Sequence, residues 1–169
     1  MPTSETVTAH ARKSTTVVVV DDHHAIRSAL CMMLDGLPDV AVVGQGASVV
    51  QAGQVIEAQD PDVVLLDLRL HGEDGLEVAR ALRDRAARTK VLVLSASDGL
   101  DDLRAALDAG ANGFLSKSAP MPVLVDGVRR TAAGQQVISA ELVYALSGRV
   151  AAPAATPRRS SRHRRQPSG

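Results

Sequence analysis

The sequence predicts an α/β fold: a doubly wound, five-stranded parallel sheet with helices on both faces. Five short apolar runs lie between residues 15 and 134, and most are continuous rather than alternating, as expected for strands buried on both faces. Segments with the apolar period of a helix separate them. Strict alternation of strands and helices of this kind requires right-handed crossovers and covers both faces of a parallel sheet.

The predicted strands contain a single aromatic residue, Phe114. In chain order they are Thr16–Val20, Val40–Val43, Val63–Leu66, Val91–Leu94 and Gly113–Leu115. The whole chain has one Phe, one Tyr and no Trp, so its core must be built from aliphatic side chains. Such a core suits a parallel sheet covered by helices.

Each predicted strand is followed by an apolar stripe with helical spacing. The stripes are Ile26, Leu30, Met33, Leu34 and Leu37; Val49, Ala52 and Ile56; Leu76, Ala79 and Leu82; Leu100, Leu103 and Leu107; and the segment Val123–Ala132. Glycine or proline stands where the elements should end, at Gly36, Pro61, Gly72, Gly110 and Pro120. A short sixth helix is predicted over Ala140–Leu146, with Ser139 as its N-cap.

Composition divides the chain into four parts. We predict a disordered N-terminal arm over residues 1–14, a folded domain over 15–134, a linker with the short helix over 135–149, and a disordered basic tail over 150–169. The tail holds five arginines and no acid, which leaves 14 basic and 19 acidic residues elsewhere. An acidic body argues against nucleic-acid binding by the folded part.

Two further patterns bound the class of protein. The chain has no apolar run long enough to cross a bilayer, and its N-terminus lacks the apolar stretch of a signal peptide, so we expect a cytoplasmic protein. The single cysteine, Cys31, cannot form an internal disulfide. We interpret it as a small, buried hydrophobic residue.

Polar side chains follow four of the predicted strands. Asp21 and Asp22 come directly after the first, Asp67 after the third, Ser95 after the fourth, and Lys117 shortly after the fifth. In an open parallel sheet these positions share the carboxyl edge, where ligands bind. Three clustered carboxylates repel one another unless a cation intervenes, and oxygen ligands select a hard ion such as Mg²⁺. A carboxylate between such an ion and a lysine is a nucleophile suited to attack on phosphorus.

Four motifs carry a family resemblance: VVVVDDH, LLDLRLHGEDG, VLSAS and GANGFLSK. They resemble the signatures of the CheY-like receiver domain of bacterial response regulators, in the style of the NarL/LuxR-type subgroup, over about Thr16 to Ala140. The resemblance implies the flavodoxin-like strand order 2-1-3-4-5. It also implies a sensor histidine kinase as phosphodonor, a homodimer of the phosphorylated form, and self-catalysed phosphorylation and dephosphorylation rather than enzymatic turnover.

The resemblance also assigns residues to the metal. It implies that Asp67 is the phospho-acceptor and one of the Mg²⁺ ligands. Asp22 would ligate Mg²⁺ directly and Asp21 mainly through water, with the backbone carbonyl of Arg69 completing the protein ligands.

Phosphoryl binding and switching are assigned to three other residues. Ser95 would donate a hydrogen bond to a phosphoryl oxygen, and Lys117 would pair with the same group. Ser95 and Phe114 would form the switch that couples the site to the face made by the fourth helix, fifth strand and fifth helix.

The sequence departs from the family pattern at three positions. His71 stands where many members have proline, so we expect a less rigid loop after Asp67. Ser118 follows Lys117 where many receivers have a cis proline, and the isomer of this bond is left open. Phe114 has no hydroxyl, so its switching can use packing but no hydrogen bond.

Other interpretations of these residues are weaker. Acids at strand ends can be ordinary helix caps, but not in this joint arrangement. His23, His24 and His71 could indicate a transition metal, yet we interpret them as solvated loop or cap residues because hard oxygen ligands surround them. The segment 44–49 resembles a dinucleotide loop but lacks its third glycine, which favours a tight strand-to-helix turn.

Two competing functions conflict with particular residues. A haloacid-dehalogenase-type phosphatase needs a second acid two residues after its nucleophile, where this chain has Arg69. A flavodoxin-like FMN carrier needs a phosphate loop after the first strand, where Asp21 and Asp22 would repel phosphate.

The sequence after residue 132 indicates how the receiver acts on its targets. Residues 132–142 resemble the start of the linker that precedes a helix-turn-helix domain in the subgroup, and residues 150–169 are too few and too polar to form that domain. We therefore expect a receiver that acts through protein contacts, with truncation or a frame disruption as the origin of the missing output domain. The alternative is a regulator with residual, non-specific DNA binding through Arg158, Arg159, Arg162, Arg164 and Arg165.

Overall fold

The computed structural model describes residues 14–97 and 99–147. The main strands are β1 (Thr15–Val20), β2 (Val40–Gly46), β3 (Val63–Asp67), β6 (Lys90–Ser95), β7 (Gly113–Ser116) and β8 (Val137–Ile138). Two short strands, β4 (Arg69–Leu70) and β5 (Glu73–Asp74), form a separate antiparallel hairpin. The helices are α1 (His24–Asp35), α2 (Val49–Gln59), α3 (Leu76–Asp84), α4 (Leu100–Asp108), α5 (Met121–Ala132) and α6 (Ala140–Leu146).

The main sheet is parallel throughout and has the order β2-β1-β3-β6-β7-β8. The five predicted strands are β1, β2, β3, β6 and β7, and their order confirms the flavodoxin-like prediction. The sixth strand, β8, was not predicted and lies in the segment assigned to the linker. It pairs with β7 through Gly113 with Val137 and Phe114 with Ile138. Helix α6 has the predicted bounds, and the Ser139 hydroxyl accepts the Leu142 N–H, 3.4 Å away.

Apolar layers cover the sheet on both faces. One layer joins the sheet to α2, α3, α4 and α6, and the other joins it to α1 and α5. Because successive side chains of a strand point to opposite faces, Val18 and Val20 belong to the first layer and Val17 and Val19 to the second. Phe114 is fully buried in the first layer, and Cys31 packs partly buried against the second.

The predicted stripe of α1 is wider than its buried face. Leu30 and Leu34 are buried, whereas Ile26 and Met33 are exposed. Helix α1 therefore buries only part of its apolar stripe against the sheet.

The hairpin after β3 is folded tightly against the carboxyl edge of the sheet. Its two central residues, His71 and Gly72, have φ values of +50° and +82°, as two-residue hairpin turns of type I′ require. Gly75 follows it, and a Cβ there would overlap the carbonyl oxygen of Asp67. The absence of a side chain at Gly75 therefore lets α3 begin directly beside the end of β3.

Across the described ranges, no helix is long and apolar enough to cross a membrane. The predicted N-terminal arm and basic tail lie outside the described residues, apart from Ser14.

Candidate functional site

Three of the predicted site residues meet at the carboxyl edge of the sheet. Asp21 follows β1, Asp67 is the last residue of β3, and Lys117 follows β7. The Lys117 Nζ donates hydrogen bonds to Asp21 Oδ2 and to Asp67 Oδ2, both at 2.7 Å. Asp21 and Asp67 are only 1% and 5% exposed. The lysine therefore bridges two buried carboxylates that belong to neighbouring strands.

The charges of this cluster are unevenly balanced. Burial disfavours the charged form of Lys117, but its hydrogen bonds to Asp21 and Asp67 raise its pKa above the ordinary value. Burial raises the pKa of Asp67, and the charge of Asp21 adds to the rise, while Lys117 and the Arg69 amide oppose it. One ammonium group thus leaves the buried carboxylates incompletely neutralised.

Asp22 lies beside this cluster at the start of the β1–α1 loop. Its Oδ2 accepts the backbone N–H of His71, 2.8 Å away. Although burial opposes the charged form, this hydrogen bond and the nearby His23, His71 and Lys117 hold the Asp22 pKa below its ordinary value. Its Oδ1 is buried and accepts no hydrogen bond within the described part of the chain. The His23 Nδ1 is only 2.7 Å from this oxygen, so the ring is close but not aligned for a hydrogen bond.

These residues fit a divalent cation. Asp21, Asp22, His23 and Asp67 each offer one ligand atom, and the four atoms lie within 4.8 Å of one another. Asp22 Oδ1 is a buried acceptor with no hydrogen bond among the described residues, and a cation would satisfy it. Carboxylate oxygens are the ligands that Mg²⁺ prefers, so the donor set agrees with the predicted metal.

Arg69 and Ser95 are close to this cluster but make other contacts. The Arg69 N–H donates to Asp67 Oδ1 at 3.2 Å, and its side chain extends into solvent near Asp102. The predicted role of its carbonyl group stays a prediction. Ser95 is buried at the end of β6, where its Oγ accepts the Ser97 N–H at 3.0 Å. Its backbone carbonyl accepts the Lys117 N–H at 2.7 Å, which fixes the main chain that carries the lysine.

Phe114 lies away from the cluster, inside the core. It is the second residue of β7, in register with Val93 of β6 on one side and Ile138 of β8 on the other. The Lys117–Ser118 bond is trans, as are all peptide bonds among the described residues. Ser118 Oγ lies 2.7 Å from Ser116 Oγ, so the two hydroxyls form a hydrogen bond.

Two histidines contribute contacts that the sequence analysis missed. His71 offers its amide N–H to Asp22, and its ring Nδ1 lies 3.2 Å from the Ala47 carbonyl oxygen. His23 places its ring beside two aspartates, whereas His24 begins α1 and is exposed. The signal for His71 was its replacement of proline, since proline has no N–H to donate.

Comparison with known proteins identifies the family of the chain. The family model "Response regulator receiver domain" matches residues 17–129. The nitrate/nitrite response regulator protein NarL of Escherichia coli K12 is 33% identical over 144 residues, covering 85% of this chain and 67% of that protein. The probable transcriptional regulatory protein NarL of Mycobacterium tuberculosis H37Rv is 40% identical over 151 residues, covering 88% of this chain and 69% of that protein.

A solved structure supports the same assignment. The signal receiver domain of the putative response regulator NarL from Mycobacterium tuberculosis superimposes with a TM-score of 0.70 and 38% identity. The match covers 73% of this chain and 99% of that domain.

The fold and the cluster of aspartates at its carboxyl edge are those of a signal receiver domain, and the chain belongs to the response regulator receiver domain family. Its similarity to the two NarL proteins makes it a NarL/LuxR-type receiver of a two-component system. The chain spans about two thirds of the length of these curated relatives. The receiver interpretation is thus confirmed, and the alternative of a DNA binder acting through the arginine tail is not favoured.

Proposed function

We propose that Asp67 accepts a phosphoryl group from a sensor histidine kinase, with Mg²⁺ held beside it. The observation that carries this proposal is the buried Asp67 carboxylate, hydrogen-bonded to Lys117 at 2.7 Å and clustered with the carboxylates of Asp21 and Asp22. In the transfer, an Asp67 oxygen bonds to phosphorus while the bond between phosphorus and the donor atom breaks. The product is an aspartyl phosphate.

The metal would be held by Asp21, Asp22, Asp67 and the backbone carbonyl of Arg69. When bound, Mg²⁺ neutralises negative charge on the carboxylates and on the phosphoryl oxygens. Lys117 supplies positive charge from the opposite side and pairs with the phosphoryl group once it has formed. Its raised pKa keeps the ammonium protonated for this role.

Ser95 and Phe114 connect the site to the surface of the domain. The Ser95 hydroxyl donates to a phosphoryl oxygen, and the packing of Phe114 responds, so that the face formed by α4, β7 and α5 favours a second copy of the chain. For such a switch to work, the phosphoryl group must stabilise one of two packings more than the other. The same residues permit self-catalysed phosphorylation by small acyl phosphates and subsequent hydrolysis.

The test is phosphorylation by acetyl phosphate with Mg²⁺, followed by intact mass. We expect one phosphoryl group that is labile to base, and none on the Asp67→Asn protein. Asp101→Asn changes an exposed acid of α4 and is the matched control, which should be phosphorylated normally. Undiminished phosphorylation of Asp67→Asn would refute the assignment of the acceptor.

For the output, we propose contacts with proteins rather than specific recognition of DNA. Arginines alone bind phosphates in a salt-dependent and sequence-independent manner. Anisotropy titrations with two duplexes of scrambled sequence, at physiological salt, should give equal and weak binding. Tight binding that distinguishes the duplexes would contradict this proposal.

A further inference from the structure

We propose that His23 supplies a nitrogen ligand to the divalent cation and shifts the preference of the site from Mg²⁺ toward first-row transition metals such as Co²⁺. This inference rests on the proposed metal site at Asp21, Asp22 and Asp67, and it concerns a residue that the carboxylate set does not include. The imidazole is the one nitrogen donor of the four-residue cluster.

The backbone explains how the ring reaches the cluster. The His23 N–H donates to Asp21 Oδ1 at 2.7 Å, which closes a tight turn directly after β1. His23 is also the N-cap residue of α1, yet in the described structure its side chain makes no capping hydrogen bond. The ring is therefore not committed to the helix and lies over the carboxylates instead.

The distances fit shared coordination. His23 Nδ1 lies 2.7 Å from Asp22 Oδ1 and 3.4 Å from Asp21 Oδ1. Adjacent ligands of an octahedral ion, each about 2.1 Å from the metal, lie about 3 Å apart. The two separations fall on either side of that value.

Asp22 Oδ1 and His23 Nδ1 are close enough to bind the same cation. At 2.7 Å the two atoms form an ion pair when the imidazole is protonated, yet this oxygen accepts no hydrogen bond among the described residues. With a neutral imidazole, a cation would take the place of that ion pair and satisfy the oxygen. His71 is a poorer ligand because its Nδ1 lies 3.7 Å from Asp22 Oδ2 and 3.2 Å from the Ala47 carbonyl.

An imidazole ligand changes the relative affinity of the site for Co²⁺ and Mg²⁺. Mg²⁺ gains little from replacing an oxygen ligand with imidazole, whereas Co²⁺ and its neighbours bind imidazole well and follow the Irving–Williams order. An added nitrogen ligand therefore raises the affinity for Co²⁺ more than for Mg²⁺. The ratio of these two affinities is the quantity that His23 controls.

The experiment measures Co²⁺ and Mg²⁺ binding to the full chain by calorimetry, without a phosphodonor. We expect His23→Ala to lower the Co²⁺-to-Mg²⁺ affinity ratio at least about tenfold. The matched control is His24→Ala, which removes the neighbouring exposed imidazole and should leave the ratio unchanged. Pulsed EPR of bound Mn²⁺ gives a direct readout, since a coordinated imidazole produces a ¹⁴N coupling that should disappear in His23→Ala only.

Asp67→Asn separates this inference from the site on which it rests. If it weakens binding of both cations while His23→Ala changes neither the ratio nor the ¹⁴N coupling, the carboxylate site stands and the role of His23 is refuted. If Asp67→Asn leaves both affinities unchanged, the proposed metal site is itself wrong. Loss of the coupling together with the fall in ratio supports both.

Discussion

The interior of the sheet and its carboxyl edge are equally buried but differ in what burial does to them. Val20 and Asp21 are neighbours in the chain, and each is 1% exposed. For Val20, removal from water is favourable, at about 25 cal/mol per Å² of apolar surface. For Asp67, burial opposes the charged form and raises its pKa, and the hydrogen bond from Lys117 compensates for only part of that cost. Apolar burial in the interior therefore stabilises the fold. This stability offsets the unfavourable burial of charged groups at the carboxyl edge.

Leu66 and Asp67 test this comparison most directly, because they are adjacent in β3. Substitution of Leu66 should lower the free energy of unfolding, and substitution of Asp67 should raise it. Leu66 is fully buried, and Leu66→Ala should lower the free energy of unfolding by about 3 kcal/mol, measured by urea denaturation. Val143→Ala changes an exposed apolar residue of α6 and should have little effect. Equal losses from the two variants would show that the stability does not come from the interior of the sheet.

Lys117→Ala should produce the next largest effect. It leaves the Asp21 and Asp67 carboxylates facing each other without a cation, which should destabilise the metal-free protein by about 2 kcal/mol at neutral pH. The loss should diminish in acid, as the carboxylates become protonated, and on addition of Mg²⁺. Lys90→Ala serves as the control, because Lys90 is the first residue of β6 and lies away from the carboxyl edge. A loss that is independent of pH would point to packing rather than charge.

Asp67→Asn should stabilise the metal-free protein at pH 7, because it removes a buried charge that Lys117 neutralises only in part. The pKa of Asp67 is raised in the folded state, so its contribution is favourable below the unfolded-state value of about 4 and is lost as pH rises through the folded-state pKa. Thermal unfolding at pH 7 and at pH 3.5 measures this. A gain that persists at the lower pH, or a loss at pH 7, would contradict the electrostatic explanation.

The smallest effect is expected at the surface. Arg129 donates two hydrogen bonds to Asp39, of 2.7 and 2.8 Å, but both side chains are well exposed. Arg129→Gln should cause a slight loss in melting temperature at low salt and none in 1 M NaCl, because solvent and salt screen exposed pairs. A loss that survives high salt would show that geometry alone can make a surface pair as effective as a buried one.

Much of the fold was predictable because its strands and helices carry periodic apolar residues. The prediction Val63–Leu66 differs from β3 by one residue, and α6 matched at both ends. The hairpin of β4 and β5 and the strand β8 were missed, since two-residue strands have no period and exist only through their partners. The sequence also gave no indication that Ile26 and Met33 would be exposed, because a stripe shows the spacing of apolar residues and not the extent of the surface that covers them.

The site was predictable to the extent that sheet topology determines it. Residues that follow parallel strands must share an edge, and this was enough to bring Asp21, Asp67 and Lys117 together. The position of the His23 ring depends on a turn closed by its own N–H, and the role of His71 depends on a backbone amide. Neither is visible in a pattern of side chains, so these contacts required the structure.

The pairing of Ile138 with Phe114 connects the last strand, β8, to the rest of the main sheet. Asp67 is in register with Leu94, the strand of Leu94 pairs with that of Phe114, and Ile138 follows on the far side. Strands lie about 4.8 Å apart, so the lateral path from Asp67 to Ile138 crosses three ladders and about 15 Å. Because Ile138 directly precedes the N-cap of α6, Ser139, this lateral path ends beside the start of that helix. The parallel sheet thus connects the end of β3 to the residues that lead into α6 through three adjacent strand pairings.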